Sequence, residues 1–279
     1  MIKSVLLGIG GTPFTQVAIR RAVELSKASR AHLTAVTVLD ERRLAKLGPV
    51  PVGGGAAATS LREHRLDVMR ERVEEAIETL KAACEEDQVK LSIQREQGDP
   101  FQLMVSHARH HDLMVFGLRS MFEYDLLGDL DVKPAEMLAR MVTGGVRPII
   151  AAADRFRPIR RVLIAYGGSV RAAETMKQFV QFGLWPDATL RILACEDGAD
   201  DAQRLLNDAS IYCRLHGREP ELVCRPGAPK RTILAEAEDC DADMIVLGTS
   251  RSGLFSGRIF GTAALEVIRR ADRSLFLGR

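Results

Sequence analysis

Short apolar runs alternate with amphipathic stretches along the whole chain. Ile2 to Ile9 is β-branched and nearly continuous in apolar residues, the pattern of a strand buried on both faces. It stops at Gly10-Gly11-Thr12, where Thr12 suits an N-cap and Pro13 the first helical position. Val17, Ile19, Val23 and Leu25 then mark a helix to about Ala28. Further strands are expected at Ala31–Leu39, Val89–Gln94, Leu113–Phe116 and Arg147–Ala151. A charged helix from about Leu61 to Glu86 places Leu66, Met69, Val73, Ile77 and Leu80 at steps of three and four, one core-facing stripe. Another runs from Phe101 to about His110 after Gly98-Asp99-Pro100, and one more begins near Pro134. Asp40 to Ser60, with Pro49, Pro51, three glycines and three alanines, reads as an excursion from regular structure. Strands alternating with helices imply an α/β fold with a parallel sheet covered on both faces.

After the polar connector Asp154–Pro158 the pattern starts again. Ile159 to Ser169 repeats Ile2 to Thr12 position for position. Gly227-Ala228-Pro229 answers Gly98-Asp99-Pro100, Asp243–Gly248 answers Asp112–Gly117, and Arg273–Leu277 answers Arg147–Ala151. Anchors in the same order in both halves imply an internal duplication. The second copy is shorter chiefly because it lacks the Pro49–Ser60 excursion.

Composition adds limits. The 279 residues are 46% hydrophobic and 27% charged, as in a globular chain with sizeable cores. A net charge of +2 gives no general pull towards nucleic acid. No apolar run reaches the ~20 residues of a membrane span. The N-terminus enters a strand without a signal-peptide pattern, so a cytoplasmic location is the default. Five cysteines, with no CxxC pair, fit unpaired thiols in a reducing compartment.

The stretch with the most chemistry is Val246 to Ala263. It closes a buried strand at Gly248, continues through Gly253, Gly257 and Gly261 with hydroxyls and the cations Arg251 and Arg258, and re-enters a helical pattern after Thr262. Strand, glycine-rich loop and helix start together form an anion site, because backbone N–H groups approach a phosphate and the helix adds partial positive charge. The plainer reading is a turn between two elements.

The Val-Leu-Ile-Ala-Tyr-Gly-Gly-Ser opening, the Gly-x-Pro turn, the Asp-Met-Ile-Val-Leu-Gly strand and the final Arg251–Thr262 block resemble the universal stress protein family in its tandem two-domain form. The resemblance covers nearly the whole chain. It implies two domains, 1–154 and 159–279, each a five-stranded parallel sheet with helices on both faces, akin to the adenine nucleotide alpha hydrolases. Members often dimerise through the last strand, so the resemblance implies a homodimer or an intramolecular pseudo-dimer. Some members bind ATP or AMP and others do not. Those that bind carry Gly-x-x-Gly, nine residues, then Gly-Ser/Thr, with an acid at the end of the first strand for the ribose. Here Gly248 and Gly261-Thr262 keep the outer spacing, but Arg251 replaces the second glycine, and Gly10 and Gly167 stand where the acids belong. In the first half Glu123, Asp125, Asp129 and Asp131 line the corresponding loop and would repel phosphates.

The resemblance therefore implies ATP or AMP in the second domain only, with no metal beyond the Mg that accompanies ATP. The expected binding set is Ala165, Tyr166, Gly167, Ala194, Gly248, Ser250, Arg251, Gly253, Gly261, Thr262 and Ala263. Its alternative is a vestigial pocket in an interaction protein that binds no nucleotide. Tyr166 reads equally as a purine-stacking ring or a core residue. His107, His110 and His111 have helical spacing, but no carboxylate or cysteine completes a ligand set. No nucleophile and base recur at motif spacing, so no catalysis is expected. Neither nucleic acid nor membrane is an expected partner.

Overall fold

The computed structural model describes residues 1–10, 12–39, 55–118, 138, 140–142, 144, 148–196, 198–248 and 262–278. In the first half the strands are β1 (Ser4–Ile9), β2 (His32–Leu39), β3 (Leu91–Gln97), β4 (Leu113–Gly117) and β5 (Ile149–Ala152). Helices α1 (Pro13–Ser29), α2 (Gly55–Glu86) and α3 (Pro100–Ala108) lie between them. The second half has β6 (Arg161–Ala165), β7 (Thr189–Ala194), β8 (Pro220–Cys224), β9 (Met244–Gly248) and β10 (Ser274–Gly278). Its helices are α4 (Val170–Phe182), α5 (Ala199–Leu215), α6 (Pro229–Asp239) and α7 (Thr262–Arg270).

The ten strands among the described residues join one sheet in the order β3-β2-β1-β4-β5-β10-β9-β6-β7-β8. Neighbours run parallel within each half, and the halves meet antiparallel at β5 and β10, with Ile150 opposite Phe276. This is the intramolecular form of the expected pseudo-dimer. The antiparallel seam also reverses direction: first-half strands end at one rim of the sheet, second-half strands at the opposite rim.

Helices cover both faces as the pattern demands. One core gathers α1, α2, α4 and α5 residues, including Val23, Ile77, Phe179 and Leu206. The other gathers α3, α6 and α7 residues, including Met104, Ile233 and Val267. Residues near each strand start are tied by a carboxylate. Asp243 Oδ2 accepts from the backbone N–H of Arg160 at 2.8 Å and Arg161 at 2.9 Å. Asp112 Oδ2 does the same for Lys3 and Ser4 at 2.8 and 3.1 Å. The repeated Asp is thus a clasp between the first and fourth strands of each half. Gly98 and Gly227 have φ of +138° and +111°, so the repeated Gly-x-Pro turn needs glycine for its backbone.

Three expectations change. Helix α2 begins at Gly55 rather than Leu61, because Ala56–Ala58 are strong helix formers and extend it. Strand β3 spans Leu91–Gln97 rather than Val89–Gln94, since left-handed Gln88 closes the turn and β2 pairs with it as far as Gln97. Leu66 and Val73 are only half-buried, so of the α2 stripe Met69, Ile77 and Leu80 reach the core fully. Residues 40–54, the 119–132 loop and the start of the Pro134 helix lie outside the described residues.

Candidate functional site

In open α/β sheets ligands gather beyond the strands' carboxyl ends, where the strand order reverses. That reversal falls between β6 and β9 in the second half. The register sets Ala165 beside Leu193 and Leu247, so Ala165, Ala194 and Gly248 arrive together at this rim. Tyr166 and Gly167 follow β6, and Ala263 lies in the first turn of α7, which follows β9. Ser250, Arg251, Gly253 and Gly261 lie outside the described residues, and Thr262 is placed only as the first residue of α7.

The described members play distinct parts. Tyr166 is half-buried and packs against the core shared by α4 and α5. Its N–H donates to the Leu193 carbonyl at 2.9 Å, and burial, then the Asp208 carboxylate, raise its phenol above the usual range. Its ring packs on the core and remains partly exposed. Gly167 is exposed, and a Cβ there would meet nothing within 4 Å. Gly248 is the reverse case. A Cβ on it would stand 2.7 Å from Ala172 Cα and 2.9 Å from both Ala172 N and Arg171 O. Its glycine is required for α4 to dock on the end of β9, whatever else approaches. Ser169 caps α4 by accepting from the Ala172 N–H at 3.2 Å.

The same rim carries cations that no motif marked. Arg225 follows β8, and Lys230 and Arg231 occupy the first turn of α6; all three are exposed. Arg225 Nε donates at 3.0 Å to Glu236, whose side chain is 1% exposed, and Arg191 Nη1 donates to the other oxygen at 2.8 Å. Counted from the Gly-x-Pro turns, the first half inverts this pair: Glu96 stands for Arg225 and His107 for Glu236, 3.2 Å apart. Asp99 then caps α3 by accepting from the Gln102 N–H at 2.9 Å, where the second half has Ala228 and no capping side chain. Phe101 and Gln102 replace Lys230 and Arg231. At these positions the first half carries acids and the second cations, while the second rim also carries Glu196 just beyond β7 and Asp200 and Asp201 in the first turn of α5. Only an alignment of the two halves against each other could have exposed this.

Cys195, just beyond β7, is half-buried, and burial, then Cys224, push its thiol up to about 11. The histidines do not converge as ligands: His107 engages Glu96, and His111 Nδ1 lies 2.7 Å from the His107 carbonyl. No group of three or more potential ligands stands together among the described residues. No helix among them is long and apolar enough to cross a membrane.

Comparison with known proteins gives one consistent picture. The model of the universal stress protein family matches residues 1–131 and 193–277. Among solved structures, a universal stress protein from Archaeoglobus fulgidus DSM 4304 is 20% identical with a TM-score of 0.68, covering 99% of this chain and 96% of that one. A putative universal stress protein from Pseudomonas aeruginosa UCBPP-PA14 is 16% identical with a TM-score of 0.62, covering 99% and 93%. At such identities these structures attest the fold alone. No curated protein matches the chain.

Proposed function

The chain belongs to the universal stress protein family, and from that premise we propose that it is a cytoplasmic stress-response module whose second domain, residues 159–279, binds ATP or AMP weakly and performs no catalysis. The observation that carries this reading is the charge contrast at the positions flanking the two Gly-x-Pro turns. Arg225, Lys230 and Arg231 flank the second-half rim, where a phosphate chain would lie, while Glu96 and Asp99 occupy the first-half counterpart. A cationic rim raises the local concentration of an anionic ligand, and an acidic one lowers it. In the sequence, Gly248 and Gly261-Thr262 keep the spacing of nucleotide-binding relatives, so backbone amides and the Thr262 hydroxyl would hold phosphates, with Arg251 supplying charge. Mg would enter only with ATP.

Isothermal titration with ATP and with AMP tests the proposal. Saturable binding in the micromolar to millimolar range is expected, weakened by Lys230→Glu with Arg231→Glu. Absence of heat from either nucleotide at millimolar concentration overturns it.

A second reading is favoured by Gly248 itself. Since helix docking alone demands that glycine, its persistence is no sign of a phosphate. With Gly167 in place of an acid and Arg251 in place of a glycine, the rim would then be a vestigial pocket in a protein acting through its surfaces. Nucleotide released on denaturing the purified protein, identified by mass spectrometry, would exclude this second reading.

A further inference from the structure

The seam between the halves is nearly symmetric in its backbone and asymmetric in its side chains. β5 and β10 pair through Ile149–Ala151 and Leu275–Leu277, all buried and apolar. Such an antiparallel edge satisfies its hydrogen bonds equally well with a second β5 or a second β10, so the ladder alone selects no partner. The selection lies beside it. The Arg21 side chain on α1 is fully buried, paired with Glu24, and its Nη2 donates to the Arg157 carbonyl at 2.7 Å. Its guanidinium lies 4.6 Å from the Phe156 ring centre and 5.3 Å from that of Trp185. Glu24 Oε1 accepts from the Trp185 indole N–H at 2.9 Å, across the seam.

Trp185 is held unusually. Its φ of +47° is a left-handed backbone that bulky residues rarely adopt. Arg218 donates to its carbonyl at 3.3 Å, and its ring stacks on Phe179 with centroids 6.5 Å apart. Counted from the caps Thr12 and Ser169, α4 carries Gln178 and Gln181 where α1 carries Arg21 and Glu24. The first-half position matching Trp185 is Ala28, inside α1.

We infer that the Arg21–Glu24–Trp185 cluster chooses the partner of each half: the first half takes a second half and rejects a second copy of itself. Were two copies to pair β10 to β10, each Trp185 would meet glutamines in place of Arg21 and Glu24. Were they to pair β5 to β5, each buried Arg21 would meet Ala28 in place of the indole. A buried cation stripped of part of its setting disfavours the wrong pairing, which is how specific interfaces exclude competitors.

The test uses the full chain. Arg21→Gln with Glu24→Gln gives α1 the side chains of α4, and Trp185→Phe keeps a ring while removing the donor. Each protein is unfolded, refolded and measured by light scattering across a wide range of concentration. Exchange is followed by energy transfer between two populations labelled at the exposed Cys224. The wild type is expected to refold to a single mass near 30.7 kDa without exchange. The double variant is expected to show about tenfold more two-chain species, the ratio that roughly 1.4 kcal/mol of lost discrimination produces. Trp185→Phe should lie between them. A folded double variant with the wild-type proportion of two-chain species and the wild-type extent of exchange overturns the inference. If the double variant fails to fold, Trp185→Phe decides, and its remaining single-chain overturns the inference.

Discussion

Replacing Gly248 with alanine separates helix docking from ligand binding. The new Cβ would stand 2.7 and 2.9 Å from backbone atoms of Ala172 and Arg171, whereas ordinary contact begins near 3.4 Å. Helix α4 would have to retreat by about 0.5–0.7 Å (3.4 less 2.9 and 2.7), against a first turn fixed by the Ser169 cap and by Thr175 Oγ1 bonded at 2.8 Å to the Arg171 carbonyl. Forcing a methyl into such packing costs about 1–3 kcal/mol. At about 2–4 °C per kcal/mol for a chain of this size, the melting midpoint should fall by roughly 2–12 °C. Gly167→Ala is the control, since nothing lies within 4 Å of its added carbon, and its stability should stay within about 0.5 kcal/mol of wild type. Both variants are melted without nucleotide, followed by circular dichroism. If Gly248→Ala melts with the wild type and Gly167→Ala, the docking argument is wrong and the glycine exists for another reason.

Three further outcomes are expected. Asp243→Ala removes the acceptor of two backbone N–H groups at the start of β6, and should destabilise by about 1.5–3 kcal/mol in urea unfolding. Burial, with the neighbouring histidines His107, His110 and His32 adding to it against the His107 carbonyl bond, holds His111 below its usual value near 6.5. The unfolded chain therefore takes up that proton first as pH falls, so stability is complete above about 6.5 and declines below it; His111→Gln should flatten the decline in urea midpoints measured across that range. Among the five thiols only Cys224 is exposed, and burial lifts Cys84, Cys195 and Cys213 to about 11. A brief maleimide pulse on native protein, read by mass spectrometry, should modify Cys224 well ahead of the other four.

Local pattern carried most of the fold. Most described strands answer an apolar run, though β7 and β8 carried no such mark, and the repeated Asp and Gly-x-Pro anchors mark a clasp and a turn that each half needs. One misplacement arose where non-local pairing prevailed: β3 runs on to Gln97 because β2 offers partners that far. For the candidate rim the sequence was a partial guide. Ala165, Ala194 and Gly248 do meet, but Gly248 is also needed by a helix distant in sequence, and Tyr166 packs in part on the core. No spacing rule exposes either fact. The cations Arg225, Lys230 and Arg231 escaped notice because an isolated charge on a helix usually means only a solvated face.

The antiparallel seam also governs how such a molecule can evolve. In a dimer of identical subunits every substitution is made twice, so a change that suits one rim is imposed on the other. Fusing the copies ends that constraint, and the reversed seam sets the two carboxyl rims at opposite ends of the strands, roughly 17 Å apart for five residues. They can share no ligating residue. The flanks of the two Gly-x-Pro turns were therefore free to carry acids in one half and cations in the other, and the Arg21 and Gln178 positions were free to part company. A single fold thus presents two unlike rims in opposite directions rather than a doubled copy of one.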